Sequence, residues 1–454
     1  MGKLFGTDGI RGVANETLDG ALAYRIGQAA AIVMEQDTGK RPLFLIGRDT
    51  RISGDMLECA LAAGLTACGA DVIRLGVCPT PAVAYLTVLN KAAAGAVISA
   101  SHNPYEHNGI KLFSGEGYKL FDELEERIED LILSGEKLPV KTHGEIGRIM
   151  EGSEQLEHYL NHLASTIEGD LSGMKVLVDC ANGASTVTAQ RLFSKVNLDA
   201  DFISIEPNGV NINDGCGSTH LDALSKAVVA GGYDVGIAFD GDADRCLAVD
   251  AMGEPVDGDQ MMAIVSDTMV KAGTLRGGGF VATVMSNLGL HKYCKEQDIK
   301  LLCAPVGDRF VLEMMIAEGM ALGGEQSGHV IFLDHMTTGD GELTAIQLLS
   351  IVKQSGKTLH ELASAVTHYP QILLNVPGPV TNADKKALIA CPEVQEAVKK
   401  GEAMLAGDGR ILLRPSGTEA LIRVMVEAGT QEKADEVAHM VASIVEIAKK
   451  SFQN

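Results

Sequence analysis

The sequence predicts an α/β protein of four domains: three related α/β domains with mixed, largely parallel sheets, followed by a smaller C-terminal α+β domain. Three observations point there. The chain has 454 residues, 46% of them hydrophobic, whereas a single core stops growing at roughly 250–300 residues. Short apolar runs alternate with helical stretches in three successive blocks, which implies crossover units and parallel strands. Beyond Tyr369-Pro370 that order changes.

In the first block, 1–150, Leu43 to Ile46, Asp71 to Leu75 and Ala94 to Ser99 read as strands. Asp55 to Cys68 and Pro81 to Leu89 read as helices. The polar stretch Ser134 to Ile149, with Gly135, Pro139, Gly144 and Gly147, reads as a connection, and Glu154 to Ile167 as a linker helix. The second block, 151–255, has strands at Lys175 to Asp179, Asp201 to Ile205 and Asp234 to Phe239, with a helix at Ala184 to Lys195. The third, 256–369, alternates Phe280 to Val284, Leu288 to Gln297, Lys300 to Ala304 and Arg309 to Glu318. The tail, 370–454, reads strand, helix, two strands, helix: Ile372 to Val376, Lys385 to Lys399, Ile411 to Leu413, Leu421 to Val426 and Lys433 to Ala448.

Lys and Arg total 38 against 60 Asp and Glu, a net charge of -22, so a polyanion such as nucleic acid is not an expected partner. No run of about 18 apolar residues suggests a membrane span, and the N-terminus lacks the apolar core of a signal peptide. A cytoplasmic protein is expected. The nine cysteines form no Cys-x-x-Cys pair, and buried packing is their default reading.

Four loops carry chemistry. Ser101 follows the strand that ends near Ala100, inside Ser-Ala-Ser-His-Asn-Pro, at the carboxyl end where open α/β sheets build sites. Its hydroxyl can carry a phosphoryl group covalently, although the same hexapeptide also suits a capped turn. His102, Asn103, Asn108 and Lys111 follow it.

Asp240, Asp242 and Asp244 alternate with Gly241 and Ala243 after the strand that ends at Phe239, and Arg245 closes the run. Three converging carboxylates call for a hard cation such as Mg²⁺, although the same run also suits a solvated acidic turn. A calcium hand would need Glu at its twelfth position, which is Ala251 here.

Gly323 to His329 sets Glu325, Gln326 and Ser327 between glycines, a composition suited to gripping sugar hydroxyls. His329 can relay a proton or serve structurally. Arg414, Ser416, Gly417 and Thr418, with Arg423 on the next strand, have the makings of a phosphate clamp or of a solvated turn.

With Phe5-Gly-Thr-Asp-Gly-Ile-Arg-Gly12, these loops in this order resemble the phosphohexomutase superfamily along the whole chain, and within it the branch acting on glucosamine phosphates. The resemblance implies four domains around a central cleft, each contributing one loop. It implies that Ser101 is phosphorylated and that Asp240, Asp242 and Asp244 hold Mg²⁺ with an oxygen of that phosphate. Arg11 and Arg245 would face the phosphoryl group, with His102 beside the serine, and Lys111 and His329 would move protons. Glu325 and Ser327 would bind the sugar, and Arg414, Ser416, Gly417, Thr418 and Arg423 the phosphate that does not react.

The implied reaction interconverts glucosamine 6-phosphate and glucosamine 1-phosphate through a sugar 1,6-bisphosphate, a step supplying cell-wall precursors. Mannose or glucose phosphate is the alternative substrate, and Gln326, where those enzymes carry Met, favours the amino sugar. A homodimer is the family expectation.

Overall fold

The computed structural model describes residues 4–6, 8–416 and 420–450. The chain forms two compact units, one of Met1–Met285 with Ile299–Ala365 and one of Ser286–Asp298 with Val366–Asn454.

The first unit holds three mixed sheets. A six-stranded sheet runs in the order Ile10–Val13, His107–Ser114, Ala94–Ile98, Leu43–Arg48, Asp71–Val77, Ile149–Glu151. Its last four strands pair in parallel, and His107–Ser114 lies antiparallel to Ala94–Ile98. The second sheet runs Pro255–Val256, Cys246–Asp250, Val235–Phe239, Val176–Asp179, Ala200–Ile203, and the third Lys300–Ala304, Gly279–Thr283, Leu322–Gly324, Val330–Phe332. Ala94–Ile98 and Val235–Phe239 are buried at every position. That is why they read as unbroken apolar runs rather than alternating ones. Both end in the loops that carry Ser101 and the aspartates.

The second unit is an antiparallel sheet in the order Gln371–Pro377, Leu421–Ala428, Gly409–Pro415, packed on helix Gln431–Lys449. Helix Leu288–Glu296, whose position in sequence falls between two strands of the third sheet, belongs to this unit. Leu288 N–H and Asn287 Nδ2 donate to the buried Glu427 carboxylate at 2.9 and 3.4 Å.

Three expected helices differ, and of these Glu154 to Ile167 opens as the 3₁₀ turn Ser153–Gln155 before the α-helix Leu156–Ala164. Lys385 to Lys399 is interrupted: helices Asn382–Ala390 and Pro392–Leu405 meet at Cys391, whose backbone is extended. Pro392 cannot continue a preceding helix but suits the first position of the next. Ala184 to Lys195 opens as a 3₁₀ turn, Ala184–Val187, before the α-helix Ala189–Lys195, in keeping with the run Ser-Thr-Val-Thr, where β-branched side chains crowd an α-helix. No described helix is long and apolar enough to cross a membrane.

Candidate active site

Ser101 is buried, with φ of 51°, in the left-handed region that few non-glycine residues occupy. Its Oγ donates to Asp240 Oδ2 at 2.7 Å and lies 3.3 Å from His102 Nδ1. That ring nitrogen also accepts from Arg245 Nη1 at 3.1 Å. Burial and the charges of Arg245 and Arg11 pull the His102 pKa down to about 4, so the imidazole is neutral near pH 7 and acts as an acceptor here.

Asp240, Asp242 and Asp244 converge as the sequence predicts: each offers a carboxylate oxygen within 4.8 Å of the others, and all three residues are buried. Ala243, between the last two, has φ of 54°, the bend that turns alternate side chains to one side. Burial and the neighbouring Asp244 and Asp242 push Asp240 well above the usual carboxylate range. Burial alone would also raise Asp244, but His329, Lys111 and Arg245 hold it well below. Asp242 Oδ1 and Asp244 Oδ1 are buried without a hydrogen-bond partner, a costly state for carboxylate oxygens in a protein interior. Hard oxygen donors so disposed fit a divalent cation.

Lys111 projects from strand His107–Ser114, with Nζ 2.8 Å from Asp242 Oδ2 and 3.9 Å from Asp244 Oδ2. Burial would lower its pKa, yet Asp242 and Asp244 raise it, so the ammonium stays charged. Arg245 N–H donates to Asp240 Oδ1 at 3.3 Å. Arg11 pairs with Asp8 at 3.3 Å. The Nε atoms of both arginines are buried without hydrogen-bond partners, donors suited to an oxyanion.

His329 Nε2 accepts from Gly339 N–H at 3.1 Å, while Nδ1 faces Asp244 Oδ2 at 3.5 Å. Burial would lower its pKa, but Asp244 and Asp308 raise it. Glu325 Oε1 accepts from Gly307 N–H at 3.1 Å, and Ser327 is exposed. Gln326 Nε2 donates to Asp257 Oδ2 at 3.1 Å, tying the loop to the helix start that Asp257 caps. Ser101, His102, Lys111, the three aspartates, Arg245 and His329 thus form one connected cluster.

The clamp residues belong to the second unit. Arg414 and Arg423 are direct cross-strand partners, and burial together with Arg423 lowers the Arg414 pKa. Two guanidinium groups held side by side attract an anion. Ser416 is buried, its carbonyl accepting from Lys385 Nζ at 2.8 Å. Gly417 and Thr418 lie outside the described residues.

Several contributors were not singled out in the sequence. Thr80 Oγ1 donates to Asp242 Oδ2 at 2.7 Å. Lys119 joins Asp8 and Asp308, both at 2.6 Å, and Asp308 Oδ2 lies 3.6 Å from His329 Nε2. Arg51 and Asn213 both reach the Ser101 carbonyl. Arg51 stands just after strand Leu43–Arg48, at the same carboxyl edge as Ser101, a position that by itself does not tell a buried arginine from a solvated one.

Residues 2–139, 157–253 and 257–369 match the phosphoglucomutase/phosphomannomutase alpha/beta/alpha domains I, II and III, and residues 374–444 match the C-terminal domain of the same family. Phosphoglucosamine mutase from Acetivibrio thermocellus is 53% identical over 98% of this chain and 99% of its own, and that from Clostridium novyi 51% over the same shares. Among solved structures, a phosphoglucomutase/phosphomannomutase family protein from Burkholderia thailandensis superposes with a TM-score of 0.80 at 24% identity, covering 98% of this chain and 97% of its own. N-acetylphosphoglucosamine mutase from Aspergillus fumigatus, solved with GlcNAc-6P and magnesium, gives 0.71 at 18% identity, covering 98% and 96%. With every domain of the family matched in order and relatives half identical over nearly the full length, the chain belongs to the phosphoglucomutase/phosphomannomutase family.

Proposed function

We propose that this chain is a phosphoglucosamine mutase, interconverting glucosamine 6-phosphate and glucosamine 1-phosphate with Ser101 as the reversible phosphoryl carrier. The observation that carries the reading is the Ser101 hydroxyl 2.7 Å from Asp240 within three buried, converging carboxylates. The names of the relatives about half identical to it over 98% of the chain support the amino sugar. The magnesium reported in the Aspergillus fumigatus structure supports Mg²⁺ as the cation for Asp240, Asp242 and Asp244.

In the forward half-reaction, the bond from phosphorus to Ser101 Oγ breaks and one to the sugar hydroxyl oxygen forms, giving a sugar 1,6-bisphosphate and a free serine. The bisphosphate turns around and returns its other phosphate to Ser101. Each hydroxyl that attacks loses a proton and each oxygen that leaves gains one. We assign these transfers to Lys111 and His329, the acid of one direction being the base of the reverse. Asp240, Asp242 and Asp244 would hold Mg²⁺, which would supply charge stabilisation to the transferring group. Arg11 and Arg245 offer buried guanidinium donors for its oxygens, and neutral His102 orients Arg245 beside the serine. Glu325 and Ser327 take the sugar hydroxyls, and Arg414, Ser416, Gly417, Thr418 and Arg423 the distal phosphate. The four domains of this reading run 1–150, 151–255, 256–369 and 370–454. The reading takes the chain as a cytoplasmic homodimer acting in cell-wall precursor synthesis, and a trace of glucosamine 1,6-bisphosphate as its activator.

The test is isomerisation with Mg²⁺ and that activator, comparing kcat/KM for glucosamine, glucose and mannose phosphates, with phosphopeptide mapping of labelled protein. Preference for glucosamine phosphate and label on Ser101 are expected. Label on Asp240 would instead mean an aspartate-based phosphotransferase, and preference for glucose or mannose phosphate the alternative mutase.

A further inference from the structure

We infer that Arg51 and Asn213 act as positioning residues that set the Ser101 hydroxyl for phosphoryl transfer, a role that rests on Ser101 being the phosphoryl carrier. The geometry is a double grip on one short peptide. Arg51 Nη2 donates to the carbonyls of Ser101 and Asn103, each at 2.8 Å, and Asn213 Nδ2 donates to the same two carbonyls at 2.9 and 3.2 Å. These donors come from segments 162 residues apart, as their residue numbers show.

Arg51 is itself fixed. Its guanidinium is fully buried, Nε donates to Asp49 Oδ2 at 2.8 Å, and Nη1 reaches the carbonyls of His107, at 3.0 Å, and of Pro104. Asp49 Oδ2 also accepts from Ser99 Oγ at 2.6 Å, and that hydroxyl in turn accepts from Ser101 N–H at 2.9 Å. Both backbone polar groups of Ser101 are thereby anchored, one through Asp49 and Ser99, the other through Arg51 and Asn213.

Anchoring matters because Ser101 holds φ of 51°, a conformation that persists only where the surroundings over-determine it. The grip also registers the serine against the aspartates. A Cβ placed on Gly241 would lie 2.5 Å from the Ser101 carbonyl oxygen and 2.8 Å from Asn213 Nδ2, so the gripped peptide and the aspartate loop touch with no side chain between them. The Ser101 Oγ itself meets Asp240 and His102, not Arg51 or Asn213. Their effect passes through the backbone to the 2.7 Å contact between that hydroxyl and Asp240.

The experiment uses full-length protein loaded with radiolabelled phosphate from glucosamine 1,6-bisphosphate in Mg²⁺, then mixed with glucosamine 6-phosphate. Rates are expressed per labelled Ser101, and the folded fraction is read from a thermal melt. Asn213→Ala is expected to fold and to transfer label about 10–100-fold more slowly, with KM for the sugar phosphate within about 2-fold of wild type, because misplacement of a reacting group lowers kcat rather than binding. A purely structural asparagine would instead lower the amount of folded, labelled protein and leave the rate per labelled site at the wild-type value. That result overturns the inference. Should Asn213→Ala not fold, Arg51→Lys, which keeps the charge but loses the fork that spans four carbonyls, is judged by the same rate per site. Wild-type protein that takes no label on Ser101, or does not pass it to sugar, refutes the mutase reading itself.

Discussion

Ser101 and Gly241 illustrate how closely two loops distant in sequence must approach for one hydroxyl to meet a carboxylate. Because a Cβ at Gly241 would stand 2.5 Å from a backbone oxygen, Gly241→Ala must force the loops apart. Overpacking of this kind costs roughly 1–3 kcal/mol, and the displaced serine should cost activity beyond what stability explains. Gly144→Ala is the control, since its Cβ meets nothing within 4 Å. Urea melts and turnover of both variants check this: Gly144→Ala should match wild type in both measurements. A second residue-scale effect concerns pH. Asp340 is buried, accepts from Tyr159 Oη at 2.9 Å and from Leu343 N–H at 2.9 Å, and burial raises its pKa from 3.8 to about 7. The folded state therefore holds a proton that the unfolded chain has lost between those values. Its contribution is fully present below 3.8 and disappears as pH rises through about 7. Asp340→Asn, neutral at every pH, should gain melting temperature relative to wild type as pH is taken from 4 to 8. A difference that stays flat would contradict the raised pKa.

Among elements, what could be read from the sequence follows from where each buries its surface. Ala94–Ile98 and Val235–Phe239 are apolar throughout because both faces are covered, and this alone located the serine and aspartate loops. Strand His107–Ser114 defied the same reading. It is almost wholly buried yet carries Asn108 and Lys111, whose burial is tolerable only because Ser53 and Asp242, far off in sequence, bond them at 2.8 Å each. Arg51 was opaque for the same reason: a lone arginine after a strand reads as solvated until the carbonyls it ties together are known. The sugar loop gives the next prediction. Asp257 caps helix Gly258–Ala272 in a reciprocal capping box with Gln260, and its other oxygen accepts from Gln326. Asp257→Ala should therefore do two things at once: cost about 0.5–2 kcal/mol of stability for the lost cap, and loosen Glu325 and Ser327, raising KM for the sugar phosphate more than it lowers kcat. Unchanged KM beside the expected loss of melting temperature would detach Gln326 from the sugar loop's geometry.

At the scale of the whole molecule, the order of elements in the sequence misleads at one place. Helix Leu288–Glu296 falls between Gly279–Thr283 and Lys300–Ala304, two adjacent parallel strands, and reads as an ordinary crossover of the third block. Yet Ser286–Asp298 belongs to the unit built on the C-terminal sheet, and no local pattern could reveal this, because the attachment is made by Glu427 some 140 residues later. That carboxylate is fully buried and accepts from Leu288 N–H, Asn287 Nδ2 and, at 2.5 Å, Arg410 Nε. Arg410 Nη2 adds a bond to the Ser286 carbonyl at 2.5 Å. The chain thus enters the second unit twice, and Glu427 fastens the first entry to the second. Arg410 is partly exposed and can be rehydrated, but the buried donors that lose the Glu427 carboxylate cost roughly 1–3 kcal/mol, so Glu427→Ala should lower stability by about that amount. The loss should also be local. Amide exchange in Leu288–Glu296 should accelerate together with that in Leu421–Ala428, while Gly279–Thr283 keeps its protection, since these elements lie in different units. If Leu288–Glu296 instead exchanges in step with Gly279–Thr283, the helix is part of the first unit's cooperative core and Glu427 does not hold it.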